Sequence, residues 1–479
     1  MFQGVTMVKW IDKNLRAILS ALAILVLVVV VSSAVSYCGA QKTEYNVLNY
    51  GAFGDGKTDD AKSIQAAIDD CERSGGGKVV LAEDHVFVSS EIQLKSNVEF
   101  NIPTSSTLKA IEDESAYNNS AFRENRAEGM KWISADDCDN VSITGLGTID
   151  GSCMRFMGDP LEDSYELHVN NTSTFDPRPH VLTLENVRKF RMHDVTITGS
   201  AYWTVHLIGC YDANISGLTI KNELMVRNCD GIDIDHSNKV RISDCLIESG
   251  DDCICLKNRR EFAEYGSCED IVVTNCTLTS RSCAIKIGSE NVDKINNVSV
   301  DNCIIIDSNR GIGIQNRDEG TVSNVTFSNM ILDCHLFSDV WWGKSDPISV
   351  TSYPRAVENN KDAGWRFPPG ATEGKCGEVW NICFNNINAT SENGCFIGGD
   401  TPIKVSGIYF NGVNINLYKK TNYQTGVYDK RPCVGEGFIY DKTYGIYVDQ
   451  ATGVVTNAFL VQFDPSFPKE LYGGDKYGF

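Results

Sequence analysis

Val240-Arg-Ile-Ser-Asp-Cys-Leu-Ile247, Ile271-Val-Val-Thr-Asn-Cys-Thr-Leu278, Val298-Ser-Val-Asp-Asn-Cys-Ile-Ile305 and Val325-Thr-Phe-Ser-Asn-Met-Ile-Leu332 repeat one phrase. Two apolar residues alternate with skipped positions, two small or polar residues intervene, and a second apolar pair resumes the alternation. A period of two marks a strand with one buried face, and the two-residue interruption turns the chain between two such strands. The starts fall 31, 27 and 27 residues apart. Earlier copies begin at Phe190 and Ala213, later ones at Ile382 and Ile408. Units of this length bury their apolar sides only by stacking, so the predicted fold is all-β, a parallel β-helix.

The interruption carries Asp244, Asn275, Asn302, Asn329 and Asn386, each just before an inward residue. Their side chains are expected to stack from coil to coil as an inner ladder. Cys245, Cys276 and Cys303 follow them and are expected to form a buried, reduced column rather than disulfide ends, although 18 cysteines in an exported chain also suit disulfides. The jump from Val325 to Ile382 predicts one extra coil plus a surface insertion around Trp341–Lys375. Near the start, Thr58-Asp59-Asp60 precedes Ile64, Ala67, Ile68 and Cys71 at helical spacing, and Gly75-Gly76-Gly77 ends the run. This predicts a short N-terminal capping helix over the open end of the solenoid. The expected layout is one domain over 41–479, with a cap at about 45–85, coils at about 86–420 and a tail at 421–479.

The 479 residues include 43 basic and 63 acidic side chains, a formal charge of −20, and 42% are hydrophobic. Such a chain buries a large core, and its acidity without a basic run excludes a general nucleic-acid binder. Lys9, Lys13 and Arg16 precede an uncharged run from Ala17 to Val35, followed by small residues suited to cleavage. Residues 1–40 therefore read as a signal peptide, or as a single membrane anchor left uncleaved, with the body outside the cytosol either way. Nine Asn-x-Ser/Thr sequons accompany it, of which Asn275 falls in the expected ladder.

Of four Asp-Asp pairs, Asp69-Asp70 falls within the expected cap helix and three others stand out. Asp59-Asp60 suits the start of the cap helix, and Asp136-Asp137 suits a turn. Asp251-Asp252 follows Asp230 by about one coil, and adjacent coils lie about 4.8 Å apart. Three carboxylates sharing one patch repel, which raises at least one pKa and places an acid beside a base, as glycoside hydrolysis requires. Turns of any solenoid also favour Asp and Gly, and spacing alone leaves both readings open.

Asn228-Cys-Asp230-Gly-Ile-Asp233 and Ser249-Gly-Asp251-Asp252-Cys253 resemble the Asn-Thr-Asp-Gly and Gly-Asp-Asp-Cys blocks of the polygalacturonases, glycoside hydrolase family 28. Arg178-Pro179-His180, Tyr202-Trp203-Thr-Val-His206, Gly54-Asp-Gly-Lys-Thr-Asp-Asp60 and Pro347-Ile348…Tyr353 extend the similarity over about residues 45–420. The resemblance implies an inverting hydrolase of pectic polysaccharide on a right-handed parallel β-helix. By it, Asp251 protonates the leaving oxygen, Asp230 and Asp252 hold and deprotonate the attacking water, and Tyr353 lines the neighbouring subsite. His206 and Trp203 are expected to pack beneath the site, His206 being the one counted among substrate contacts. The family's Gly-His-Gly and Arg-Ile-Lys segments are replaced by Ser282-Cys283-Ala284 and Gly313-Ile314-Gln315. Lys257, Lys286 and Arg317 are the candidates to hold a uronate carboxylate in their stead. No cofactor, no metal and a monomeric state are expected. Rhamnogalacturonan hydrolysis, a calcium-dependent lyase with the three aspartates as ligands, and a non-catalytic carbohydrate-binding solenoid are the rival readings.

Overall fold

The computed structural model describes residues 43–123, 128–162, 164–170, 176–355 and 375–479. Residues 1–40, read as a signal or anchor, and most of the insertion expected after Trp341 lie outside them. No helix among the described residues is long and apolar enough to cross a membrane.

From Glu44 to Phe479 the chain winds as a right-handed parallel β-helix. One face is a twelve-stranded sheet, and the other two belong to a single 22-stranded sheet that bends at the repeated interruption. Register follows the repeat. Ile242 pairs with Val273, Val273 with Val300, Val300 with Phe327, Phe327 with Phe384 and Phe384 with Phe410. All of these side chains are buried, and the last three rings stack at 5.3 and 5.0 Å between centroids. Because Phe327 pairs directly with Phe384, the long jump after Val325 is a single coil with a long excursion, and the extra coil expected there does not exist. Spacing alone does not distinguish a loop from a turn of solenoid.

At the bend, Asp244, Asn275, Asn302, Asn329 and Asn386 all take positive φ between 53° and 58°. Asn and Asp tolerate this left-handed region best among residues with a side chain. Asn275 Nδ2 donates to Asp244 Oδ1 at 3.2 Å, Asn302 Nδ2 to Asn275 Oδ1 at 2.8 Å, and Asn386 Nδ2 to Asn329 Oδ1 at 2.8 Å. The ladder exists, but it runs on the solvent side, which corrects the inner placement. Asn275 is exposed, since the convex side of the bend faces water. Cys245, Cys276 and Cys303 form the buried column behind it. None of the 17 described cysteines is in a disulfide, so the disulfide expectation fails among them; the column thiols donate instead to backbone carbonyls such as Thr274 O, 3.2 Å from Cys276 Sγ.

The capping helix spans Ala61–Arg73 and buries Ala61, Ile64, Ala67, Ile68 and Cys71. Asp59 Oδ1 accepts from Ala61 N at 3.0 Å, while Asp60 turns away to accept from Phe53 N and Gly54 N at 2.6 and 3.0 Å. Coil strands begin already at Glu44–Asn46, which pairs in parallel with Gly77–Val80 inside the expected cap, and they continue past 420. Strands Thr443–Asp449 and Thr452–Phe463 pair with Cys395–Gly399 and Val405–Leu417, so the expected tail contributes a further coil. Thr452–Phe463 is an edge strand with half its residues in water, which relaxes the apolar alternation of its sequence.

Asn302→Ala should destabilise the fold by about 1–2 kcal/mol, because Ala combines the left-handed strain with loss of the amide link. Asn302→Gly should lose less, and denaturant midpoints of the two variants check the order.

Candidate active site

Strands Ile232–Asp235, Ile254–Asn258, Cys283–Asn291 and Arg310–Asn316 are successive rungs of the twelve-stranded sheet. Ile232, Ile254, Ile285 and Ile312 are in register and face the core. Alternation then turns Asp233, Cys255, Lys286 and Gly313 outward in one column. Asp230 and Asp252 stand two residues before Ile232 and Ile254, ahead of the strands and outside their regular alternation, at equivalent positions of adjacent coils where both line one cleft. Gly231 N donates to Asp252 O at 2.9 Å. A Cβ on Gly231 would come within 2.4 Å of Cys253 O, so the approach that brings the two aspartates together excludes any larger residue there.

Asp230, Asp251 and Asp252 each place one carboxylate oxygen within 4.8 Å of the others, and all three are buried. Burial, reinforced by the charge of Asp252, pushes Asp251 up to about 6, against the opposing pull of Lys286 and of the Asn228 amide, whose N–H donates to Asp251 Oδ2 at 3.1 Å. Burial and the neighbouring Asp233, Asp251 and Asp252 hold Asp230 well above the usual carboxylate range. Burial likewise raises Asp233 to about 7, although Lys257 Nζ lies 2.8 Å from its Oδ1. Lys286 Nζ lies 2.7 Å from Asp252 Oδ2, and Lys257 Nζ sits 3.7 Å from the centre of the Trp203 ring. The trio could hold a divalent cation through three carboxylates, but a calcium ion takes six to eight oxygens and would share this space with the Lys286 ammonium.

The carboxylates open into a cleft that Lys257, Lys286 and Trp203 also line. Three expected contacts do not reach it. Arg317 is fully buried, donating to Thr351 Oγ1 at 3.0 Å and to the carbonyls of Lys430 and Arg431 at 2.9 and 3.3 Å. Its place in sequence suggested a surface cation, but later chain folds over it. Tyr353 donates to Asp449 Oδ2 at 3.0 Å and packs with Phe396, Tyr428 and Tyr447. His206 is fully buried, with Nε2 3.4 Å from Asp235 Oδ2, and burial lowers it to about 4, so it is neutral.

Other residues take their places. Arg355 lines the cleft, its Nε and Nη2 donating to Asp318 at 3.0 and 3.2 Å and Nη2 also to Ser289 Oγ at 3.2 Å. Glu290 lines it too; burial would raise its pKa, but Lys257, Arg355 and Arg259 outweigh that and bring it down to about 2. Trp341, Trp342 and Pro432 form the far wall. Arg355 lies only two residues beyond Tyr353, and Trp341-Trp342 is a conspicuous pair within the expected insertion, yet nothing local tells that either turns towards the aspartates.

The family model described as "Glycosyl hydrolases family 28" matches residues 78–336, which contain all three aspartates. A probable polygalacturonase of Vitis vinifera is 28% identical over 291 residues, covering 56% of this chain and 56% of that protein. A polygalacturonase of Persea americana is 24% identical, over 73% of this chain and 68% of its own length. Among solved structures, an exopolygalacturonase from Thermotoga maritima superposes with a TM-score of 0.63 at 21% identity, covering 87% of this chain and 92% of that one. With a match over more than half its length, one that carries the carboxylate cluster on a parallel β-helix, the chain belongs to glycosyl hydrolase family 28.

Proposed function

We propose that this chain hydrolyses α-1,4-galacturonosyl linkages in pectic polysaccharide by a single displacement. The observation that carries the reading is the buried trio itself, with Asp251 raised to about 6 beside Asp252. Asp251 keeps its proton into mildly acidic solution and gives it to the leaving glycosidic oxygen. Asp230 and Asp252 hold the attacking water, and Asp252, ion-paired with Lys286, takes its proton as the oxygen bonds to the anomeric carbon. A water hydrogen-bonded to two carboxyl groups at ordinary lengths spans about 4.5 Å between their oxygens, which the spread of up to 4.8 Å accommodates. This is shorter than the ~6.5–9.5 Å carboxyl separation usual in inverting enzymes, so the configuration of the released anomeric centre is a direct check: the proposal requires inversion.

The carboxylate of a uronate is held by Lys286, Lys257 and Arg355, with Arg355 in the cleft in place of the buried Arg317. A second reading, rhamnogalacturonan hydrolysis, is favoured by one feature: each of these cations is already paired, with Asp252, Asp233 and Asp318 respectively. Product analysis on homogalacturonan and rhamnogalacturonan side by side separates the two. The segment at 1–40, which reads as a signal peptide or an uncleaved anchor, supports export as the setting of this activity.

Asp251→Asn and Asp252→Asn should each lower kcat by ~10²–10⁴-fold with the thermal transition retained; wild-type turnover in both would remove the assignment. Activity should decline as pH rises through about 6, where Asp251 loses its proton. The Lys286 charge lowers that pKa, so in Lys286→Met the declining limb should move to higher pH, read from kcat against pH. Activity should survive chelator; chelator-sensitive release of unsaturated products would favour the lyase. Arg355→Ala should lower kcat/KM on galacturonan by ~10–100-fold, the loss expected for a charge-assisted contact, and much less on the carboxyl-esterified polymer.

A further inference from the structure

The outward face of the twelve-stranded sheet is covered on both sides of the aspartates. On the N-terminal side, the pairing of Val205 with Ile232 puts Trp203 on the rung before Asp230, and Phe122 packs edge-on against it with ring centroids 5.2 Å apart. On the C-terminal side, the chain from Asp429 to Val434 crosses the face. Asp429 Oδ2 accepts from Gly343 N at 3.0 Å at the margin where strands enter the sheet. At the margin where they leave, Lys430 O accepts from Arg317 Nη2 at 2.9 Å and Val434 N donates to Pro354 O at 2.9 Å. Outward residues under and beyond this strap, Ser349, Thr351 and Phe396, are fully buried. The strand Arg310–Asn316, at whose end Arg317 meets the strap, is two rungs from Ile254–Asn258, or about 10 Å.

The strap is held firmly. Arg431 donates to both oxygens of Asp429 at 2.9 Å, and to the carbonyls of Val340 and Trp341 at 3.0 and 2.8 Å. These bonds tie it to the tryptophan pair, and Trp341 in turn meets the Tyr165 ring at 6.2 Å, edge to face. Tyr165 donates to the carbonyl of Gly250, next to Asp251, at 2.7 Å. Trp341, Trp342, Arg355 and the strap all lie beyond residue 336, where the family match ends.

A polysaccharide cut in its interior must run past the aspartates in both directions, and the cleft is lined by successive rungs from Trp203 through Asp252 and Lys286 to Gln315, along the coil axis. Here Trp203 with Phe122 closes one direction and the strap the other, so the site is a pit rather than a groove. We infer that the enzyme acts at chain ends, admitting a terminal sugar and a short stub and releasing small products one after another. This rests on the hydrolase reading above and adds the mode of attack.

The test follows viscosity, reducing ends and product size together during digestion of homogalacturonan and rhamnogalacturonan. Mono- or short saccharides from the earliest time points, with viscosity nearly unchanged per bond cut, are expected. Arg431→Ala, which frees the strap, should increase the viscosity loss per bond cut several-fold in any variant that keeps the wild-type thermal transition. Steep viscosity loss with long oligomers appearing first in the wild type would overturn the chain-end inference and leave the hydrolase standing. No new reducing ends from any pectic polymer or oligomer would overturn the hydrolase reading, and this inference with it.

Discussion

Backbone hydrogen bonding between successive coils is the constraint on which everything else rests. Each strand of a parallel ladder satisfies its N–H and C=O groups with the coils before and after it, so residues at equivalent positions are held about 4.8 Å apart whatever their chemistry. Inside, this stacks Phe327, Phe384 and Phe410 into one column. Outside, it forces Asp230 and Asp252 onto adjacent rungs although like charges at that distance repel. The apolar columns stabilise the register, and the register imposes the electrostatic strain.

That strain is the chemical resource of the site. A carboxylate desolvated beside another carboxylate is a weaker acid than in water, and Asp251 and Asp230 are both displaced in that direction. Lys286, one rung on, tempers the effect at Asp251 and pairs with Asp252. The cleft therefore balances charge locally: Lys257, Lys286 and Arg355 each stand against a carboxylate. A polyanionic ligand has to compete with those internal partners, which ties substrate choice to how far they yield.

The core coils and the walls of the cleft have different origins. The sheet carrying the aspartates follows the repeat, whereas the walls come from excursions out of it: the loop with Trp341 and Trp342, backed by Tyr165, and the strap after Asp429. A solenoid tolerates such insertions because each leaves and re-enters between rungs without disturbing the ladder. Cleft shape can thus diverge on an unchanged rung of aspartates.

By itself the sequence determined the stacked coils, the capping helix, the buried cysteine column and the closeness of Asp230, Asp251 and Asp252, because all of these follow from periodicity and from offsets of one coil. Lys257 and Lys286 were legible for the same reason, since both lie on strands whose register the repeat predicts. Tertiary structure alone decided the rest. The outward position of the Asn ladder depends on which side of the bend is convex, and the single long coil before Ile382 on where an excursion re-enters. The burial of Arg317, Tyr353 and His206, and the entry of Arg355, Trp341 and Pro432 in their place, depend on chain up to 114 residues away in sequence folding across the face. Contacts of that separation leave no periodic trace, because loops are held by individual hydrogen bonds rather than by a repeated pattern of burial.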